Sequence, residues 1–130
     1  MLLKHKNTLF DYELKRSNNN EGLKEGDFWI NVDLTIKNDE IDLRYIRDAI
    51  SYFELKELDD KLKKFRSSNN KKKENIVLIK HFDEFDLFPD GTMIQKFFFY
   101  DDVFKYYSLV YNDDELLWFI NKNEEFLKEQ

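Results

Sequence analysis

Apolar and polar residues alternate most strictly between Asp27 and Lys37. Phe28, Ile30, Val32, Leu34 and Ile36 fall on one side of an extended chain, and Trp29, Asn31, Asp33, Thr35 and Lys37 on the other. A period of two marks a strand with one face on a core and the other toward water or a partner. Asn38-Asp39-Glu40 predicts a turn, after which Ile41, Leu43 and Tyr45 resume the alternation, so 27–47 reads as a hairpin. Upstream, Leu9 followed by Phe10, Tyr12 and Leu14 predicts a strand over 7–16. The stretch 17–25, rich in Asn, Glu and Gly, predicts a loop.

The period changes after Ser51. Leu55, Leu58, Leu62 and Phe65 recur at helical spacing and form one apolar stripe, while Ser51 and Glu54 have the spacing of a capping box. This helix is expected to end near Arg66, ahead of a polar, basic loop over 67–73. Ile76, Val77, Leu78 and Ile79 are apolar at every position and predict a fourth, central strand. Phe85–Phe88 predicts a short fifth strand, and Pro89-Asp90-Gly91 a tight turn. Thr92–Tyr100 predicts a sixth strand with Met93, Phe97 and Phe99 on one face. Asp101-Asp102 predicts a turn, and Phe104–Tyr111, rich in aromatic and β-branched residues, a seventh strand. Phe98, Tyr100, Tyr107 and Tyr111 fall in the second set of aromatics, to be covered by a helix or exposed as an interface.

A last helix starts at Asn112 or Asp113. Asp113, Asp114 and Glu115 load its first turn with the charge that the helix dipole favours. Leu116, Leu117, Ile120 and Leu127 form its apolar face, widened by Trp118 and Phe119. The expected architecture is a single α+β domain over 1–130, a mostly antiparallel sheet of about six to seven strands with two amphipathic helices. Residues 27–66 and 92–128 each run hairpin then helix, and Glu54-Leu55 matches Glu115-Leu116, so the chain reads as a duplicated strand-strand-helix unit.

Composition fits this picture. The 130 residues suit one domain, and 13 Phe and 7 Tyr argue for a packed core and against disorder. The chain has no cysteine, which excludes disulfides, thiolate metal sites and a cysteine nucleophile, and fits a reducing compartment. It holds no run of about 18 apolar residues, and Met1–Lys6 lacks the apolar core of a signal peptide. The expectation is a cytoplasmic protein with no membrane contact. The formal net charge of −6 is uneven: residues 1–73 carry 16 Lys/Arg and 14 Asp/Glu, and residues 74–130 carry 5 and 13. The second half should repel phosphate backbones and attract basic surfaces.

Candidate chemistry is thin. His81-x-Asp83-x-x-Asp86 has ligand-type residues at close spacing but falls short of a zinc ligand set, and a surface turn explains it better. Ser51 is accounted for as a helix cap, and Ser17, Ser67, Ser68 and Ser108 occupy no nucleophile elbow. The pairs Asp59-Asp60, Asp101-Asp102 and Asp113-Asp114 sit in predicted helix and turn positions rather than in the unlike environments that acid–base work requires. Gly22, Gly26 and Gly91 are scattered and build no phosphate loop. Lys61–Lys73 holds seven basic residues and no acid, but four of them serve a helix C-terminus and no free aromatic platform is interleaved. No catalytic, cofactor-binding or metal-binding residue is assigned, and neither enzyme activity nor nucleic-acid binding is expected.

Three stretches carry a family resemblance. They are Asp27–Leu34, with its Trp-bearing strand, Phe53–Leu62 in the first helix, and Tyr107–Tyr111 leading into Leu116–Ile120. In spacing and residue character the chain resembles the WapI-type bacterial immunity proteins. That resemblance implies a compact domain that neutralises a polymorphic toxin by binding it, with no functional motif whose residue roles could be carried over. An acidic protein would meet a basic toxin with a complementary field, which speeds encounter. The candidate contacts are Asp83, Glu84, Asp86, Asp101 and Asp102, with Tyr100 and Tyr107 beside them. The alternative is a structural or regulatory homodimer formed through a sheet edge or the aromatic face.

Overall fold

The computed structural model describes the backbone of residues 2–5, 8–39, 42–78, 84–101 and 103–130, and the side chains of 9–39, 42–78, 84–96 and 108–130. Among these residues the chain forms two antiparallel sheets of four strands, each followed by a 16-residue helix. The first sheet runs β1 (Leu2–His5), β2 (Thr8–Arg16), β3 (Trp29–Lys37) and β4 (Asp42–Ser51), and leads into α1 (Tyr52–Ser67). The second runs β5 (Glu74–Val77), β6 (Glu84–Leu87), β7 (Met93–Asp101) and β8 (Val103–Tyr111), and leads into α2 (Asp113–Lys128). Each sheet is a simple meander, with strands neighbouring in space in their chain order.

The α+β class, the antiparallel pairing and the two helices are as the sequence pattern leads one to expect. The single sheet is not. The reason lies in α1, whose 16 residues span about 24 Å and carry the chain away from the free edge of β4. The strand that follows starts a new sheet instead of extending the old one. Ile76–Ile79 also differs from expectation: β5 is an outer strand, not a central one. Ile76 is buried while Val77 is 59% exposed, so an unbroken apolar run conceals a two-sided strand. Ile79 lies outside the described residues.

The strict alternation in β3 holds. Phe28, Ile30, Val32, Leu34 and Ile36 are all buried, and β2 turns Phe10 and Tyr12 to the same core. In β4 the register slips between Ile30 and Asn31, which pair with Ile50 and Asp48 and leave Ala49 as an extra residue. That bulge makes Ala49, Ile50 and Ser51 consecutively buried and bends the strand end toward the helix. Ser51 is at once the last residue of β4 and the N-cap of α1. Its hydroxyl accepts from the Glu54 amide at 3.3 Å while Glu54 accepts from the Ser51 amide at 3.1 Å. Asn112 and Glu115 repeat this capping box at α2, with both bonds at 2.9 Å.

One core joins the two sheets. Phe119 of α2 lies at its centre, stacked on Tyr12 at 5.1 Å and packed against Tyr111 at 5.6 Å and Phe85 at 5.8 Å. Phe10 meets Tyr111 and Trp118 edge-on. Leu55, Leu58, Leu62 and Phe65 give α1 its buried stripe, while in α2 the buried set is Leu116, Trp118, Phe119, Ile120 and Phe126, with Leu117 and Leu127 only half-buried. Two hydroxyls buried in this core are hydrogen-bonded: that of Tyr12 donates to Asn123 Oδ1 at 3.0 Å and that of Tyr111 to Gln95 Oε1 at 2.6 Å. Tyr111 is therefore a core residue, the helix-covered outcome for that position.

Candidate functional site

In the second sheet β6 turns Phe85 and Leu87 inward, so alternation sends Glu84 and Asp86 to the outer face. A short strand between two partners gives these carboxylates fixed positions; the strand expected over 85–88 is found at Glu84–Leu87. Asn75 on β5 donates from Nδ2 to both, at 3.2 Å to Glu84 Oε2 and 2.7 Å to Asp86 Oδ1. From the other side Lys96 of β7 reaches Asp86 Oδ2 at 2.7 Å. The bonds from Lys96 and then Asn75 hold the Asp86 carboxyl below the usual carboxylate range, so it is ionised at neutral pH.

Asp86 is consequently less available than the sequence implies. Its side chain is 13% exposed and its charge is shared with Lys96, whereas Glu84 accepts from the neutral amide of Asn75. Apolar residues flank the pair. Val77 stands opposite Glu84 in the β5–β6 register, and Val110 of β8, 45% exposed, stands opposite Ile94. The outer face thus has a charged, hydrogen-bonded centre with apolar margins.

Of the seven candidate contacts the structure brings together Glu84 and Asp86. Asp83 and Asp102 lie outside the described residues. Asp101 is the last residue of β7, paired with Val103, and not a turn residue. Tyr100 pairs with Phe104, and Tyr107 with Phe97. Directly opposed residues occupy one face of an antiparallel pair, so position 107 belongs to the Phe97 row and not, as the sequence grouping has it, with positions 98 and 100. Sequence reasoning missed Asn75, Lys96, Val77 and Val110. Each is unremarkable in its own segment, and only the register of three strand pairs places them around Glu84 and Asp86.

Among the described residues no three His, Cys, Asp or Glu side chains converge to hold a metal ion. His81 and Asp83 are not among them. No helix among the described residues is long and apolar enough to cross a membrane. The fold and this face define an α+β domain of two helix-capped meanders that presents a hydrogen-bonded carboxylate pair on an open sheet surface. No protein-family model matches the chain, and neither a curated protein nor a solved structure matches it.

Proposed function

We propose that the chain is a small protein-binding domain that neutralises a cognate bacterial toxin by direct binding, acting in the cytoplasm as an immunity protein. The observation that carries this reading is the Glu84–Asp86 pair, fixed by Asn75 on a sheet and bordered by Val77 and Val110. Groups already held in place lose little freedom on binding, and an exposed sheet face suits a protein partner better than a small molecule, whose sites are concave. The charge of −8 over residues 74–130 favours a basic partner and speeds its approach. The two units, each a meander ending in a capped helix, are read here as a duplication that supplies a rigid frame.

The test is binding to the product of the neighbouring gene. The expected result is a complex whose association slows as salt rises, and about tenfold further with Glu84→Lys. A neighbouring product that is no toxin, together with no binding, removes the basis for this reading. A second reading is a structural or regulatory homodimer. It draws on β8, a nine-residue outer strand carrying exposed Val110, because open strand edges pair readily with one another. A tight dimer by sedimentation at low micromolar concentration, with no other partner, would favour it.

A further inference from the structure

A second surface has the opposite sign. The C-terminal half of α1, the 68–73 connection and β5 enclose a groove of about 540 Å³. Lys61, Lys64, Lys71 and Lys72 line it, against a single carboxylate, Glu74. Its floor is apolar, with Phe65 and Ile76 both buried. Three consecutive strand residues, Glu74, Asn75 and Ile76, border the groove. Successive strand residues point to opposite faces, so a groove touching all three runs along the edge of β5 and not over one face. In the described sheet β5 pairs only with β6, and the groove lies along its other edge.

The lysines differ in how far they are engaged. Lys61 reaches Glu57 at 3.0 Å within the helix, and Lys71 donates to the Ser68 carbonyl at 2.9 Å. Lys64 and Lys72 pair with no carboxylate among the described residues. Lys63 and Arg66, on the same helix, are neutralised by Asp59 and Asp113 and belong to other contacts. The basic run of the sequence therefore divides in two: part closes the fold and part is left at the groove.

We propose that this groove takes an extended acidic segment of another protein, which adds to β5 as a fifth strand and places its carboxylates against Lys64 and Lys72. An open strand edge offers alternating donors and acceptors, and a peptide backbone can use both, whereas a phosphate backbone uses only the donors. Phe65 is too deeply buried to stack on a base, which sets single-stranded nucleic acid aside. A second copy joined β5 to β5 would bring four lysines of each chain together, so self-pairing at this edge is opposed by like charge. The groove shares β5 and Asn75 with the proposed toxin-binding face, but its charge comes from other side chains, Lys64 and Lys72, so the Lys64→Glu/Lys72→Glu variant tests it apart from Glu84→Lys.

The probe is a labelled eight-residue peptide alternating Glu with Val, titrated into the full chain by fluorescence anisotropy. Three comparisons accompany it: the same peptide with a central proline, a single-stranded oligonucleotide of equal charge, and the Lys64→Glu/Lys72→Glu variant. Both substituted positions are on the surface, and circular dichroism verifies that the variant keeps the fold. The expected result is saturable binding weakened about tenfold by the double substitution and about as much by the proline, which cannot donate to the edge. Amide exchange at Glu74–Val77 should slow when the peptide is bound. Equal or tighter binding of the oligonucleotide overturns the proposal, as does indifference to the proline, indifference to the double substitution, or no binding at millimolar peptide. A dimer lost in the double variant would assign the edge to a second copy and overturn it as well.

Discussion

Two aspartates illustrate how position sets the behaviour of one residue type. Asp86 accepts from Lys96 and Asn75, which draws its carboxyl below the usual range. The stability this adds is present above the unfolded value and is lost as pH falls through the folded one. Asp59, on the buried side of α1, is the reverse. Burial raises its carboxyl above the usual range, against the pull of Lys63 at 2.8 Å and with Glu124 and Asp60 adding repulsion. The folded chain keeps this proton to higher pH than the unfolded chain, so the associated stability is lost as pH rises through the raised value. Asp59→Asn keeps the shape without the ionisation. Its urea midpoint should therefore gain on that of the unsubstituted chain as pH rises from about 4 to about 8. An Asn variant that loses ground over that range would mean that the Lys63 pair outweighs desolvation.

Among the elements, the two helix starts are the most tightly specified. In each, a polar residue leaves a strand and caps the helix with no intervening loop, and a Glu three positions on returns the bond. Ser51 carries the heavier duty because it also pairs with Trp29 in the sheet, beside the Ala49 bulge. Replacing either Ser51 or Asn112 with Ala should cost about 1 kcal/mol in chemical denaturation, with the larger loss at Ser51. Equal and negligible losses would show that the junctions are held by packing alone. The Pro89-Asp90-Gly91 turn is legible for a comparable reason. Gly91 has φ +91°, and Asp90 accepts from the Thr92 amide and hydroxyl at 3.0 and 2.6 Å. These local features need only neighbouring residues, which is why the sequence reveals them.

The whole molecule is held by aromatic contacts that cross between the two sheets. Phe119 touches Tyr12 from the first and Phe85 and Tyr111 from the second, so neither sheet has a complete core without α2. Ion pairs repeat the connection at the surface, with Lys122 on Glu13, Arg66 on Asp113 and Lys63 on Glu124. The chain should unfold as one unit. Trp29 lies in β3 and Trp118 in α2, which supplies one natural fluorophore on each side. Single-tryptophan variants, Trp29→Phe and Trp118→Phe, should give fluorescence transitions in urea that coincide with each other and with the loss of circular dichroism, once each is referred to its own stability. Two separated transitions within one variant would instead mean that the meanders melt independently.

Period and capping chemistry are properties of short stretches, so the sequence alone determined the strands from β2 to β4, both helices, the N-cap of the first, the turn at Gly91 and the inward face of β3; it left the start of α2 between Asn112 and Asp113, and the structure makes Asn112 the cap. The sequence also marked Glu84 and Asp86 as candidates, from local charge. What lies beyond a segment's reach was left to the tertiary structure. A run of four apolar residues has no period, so the outer position of β5 had to come from its pairing with β6 alone. The division into two sheets followed from the path of α1, and the burial of Tyr111 from the docking of α2. The partners of Glu84 and Asp86, and the groove along β5, arise from residues brought together by register and packing, and such long-range neighbours leave no trace in local pattern.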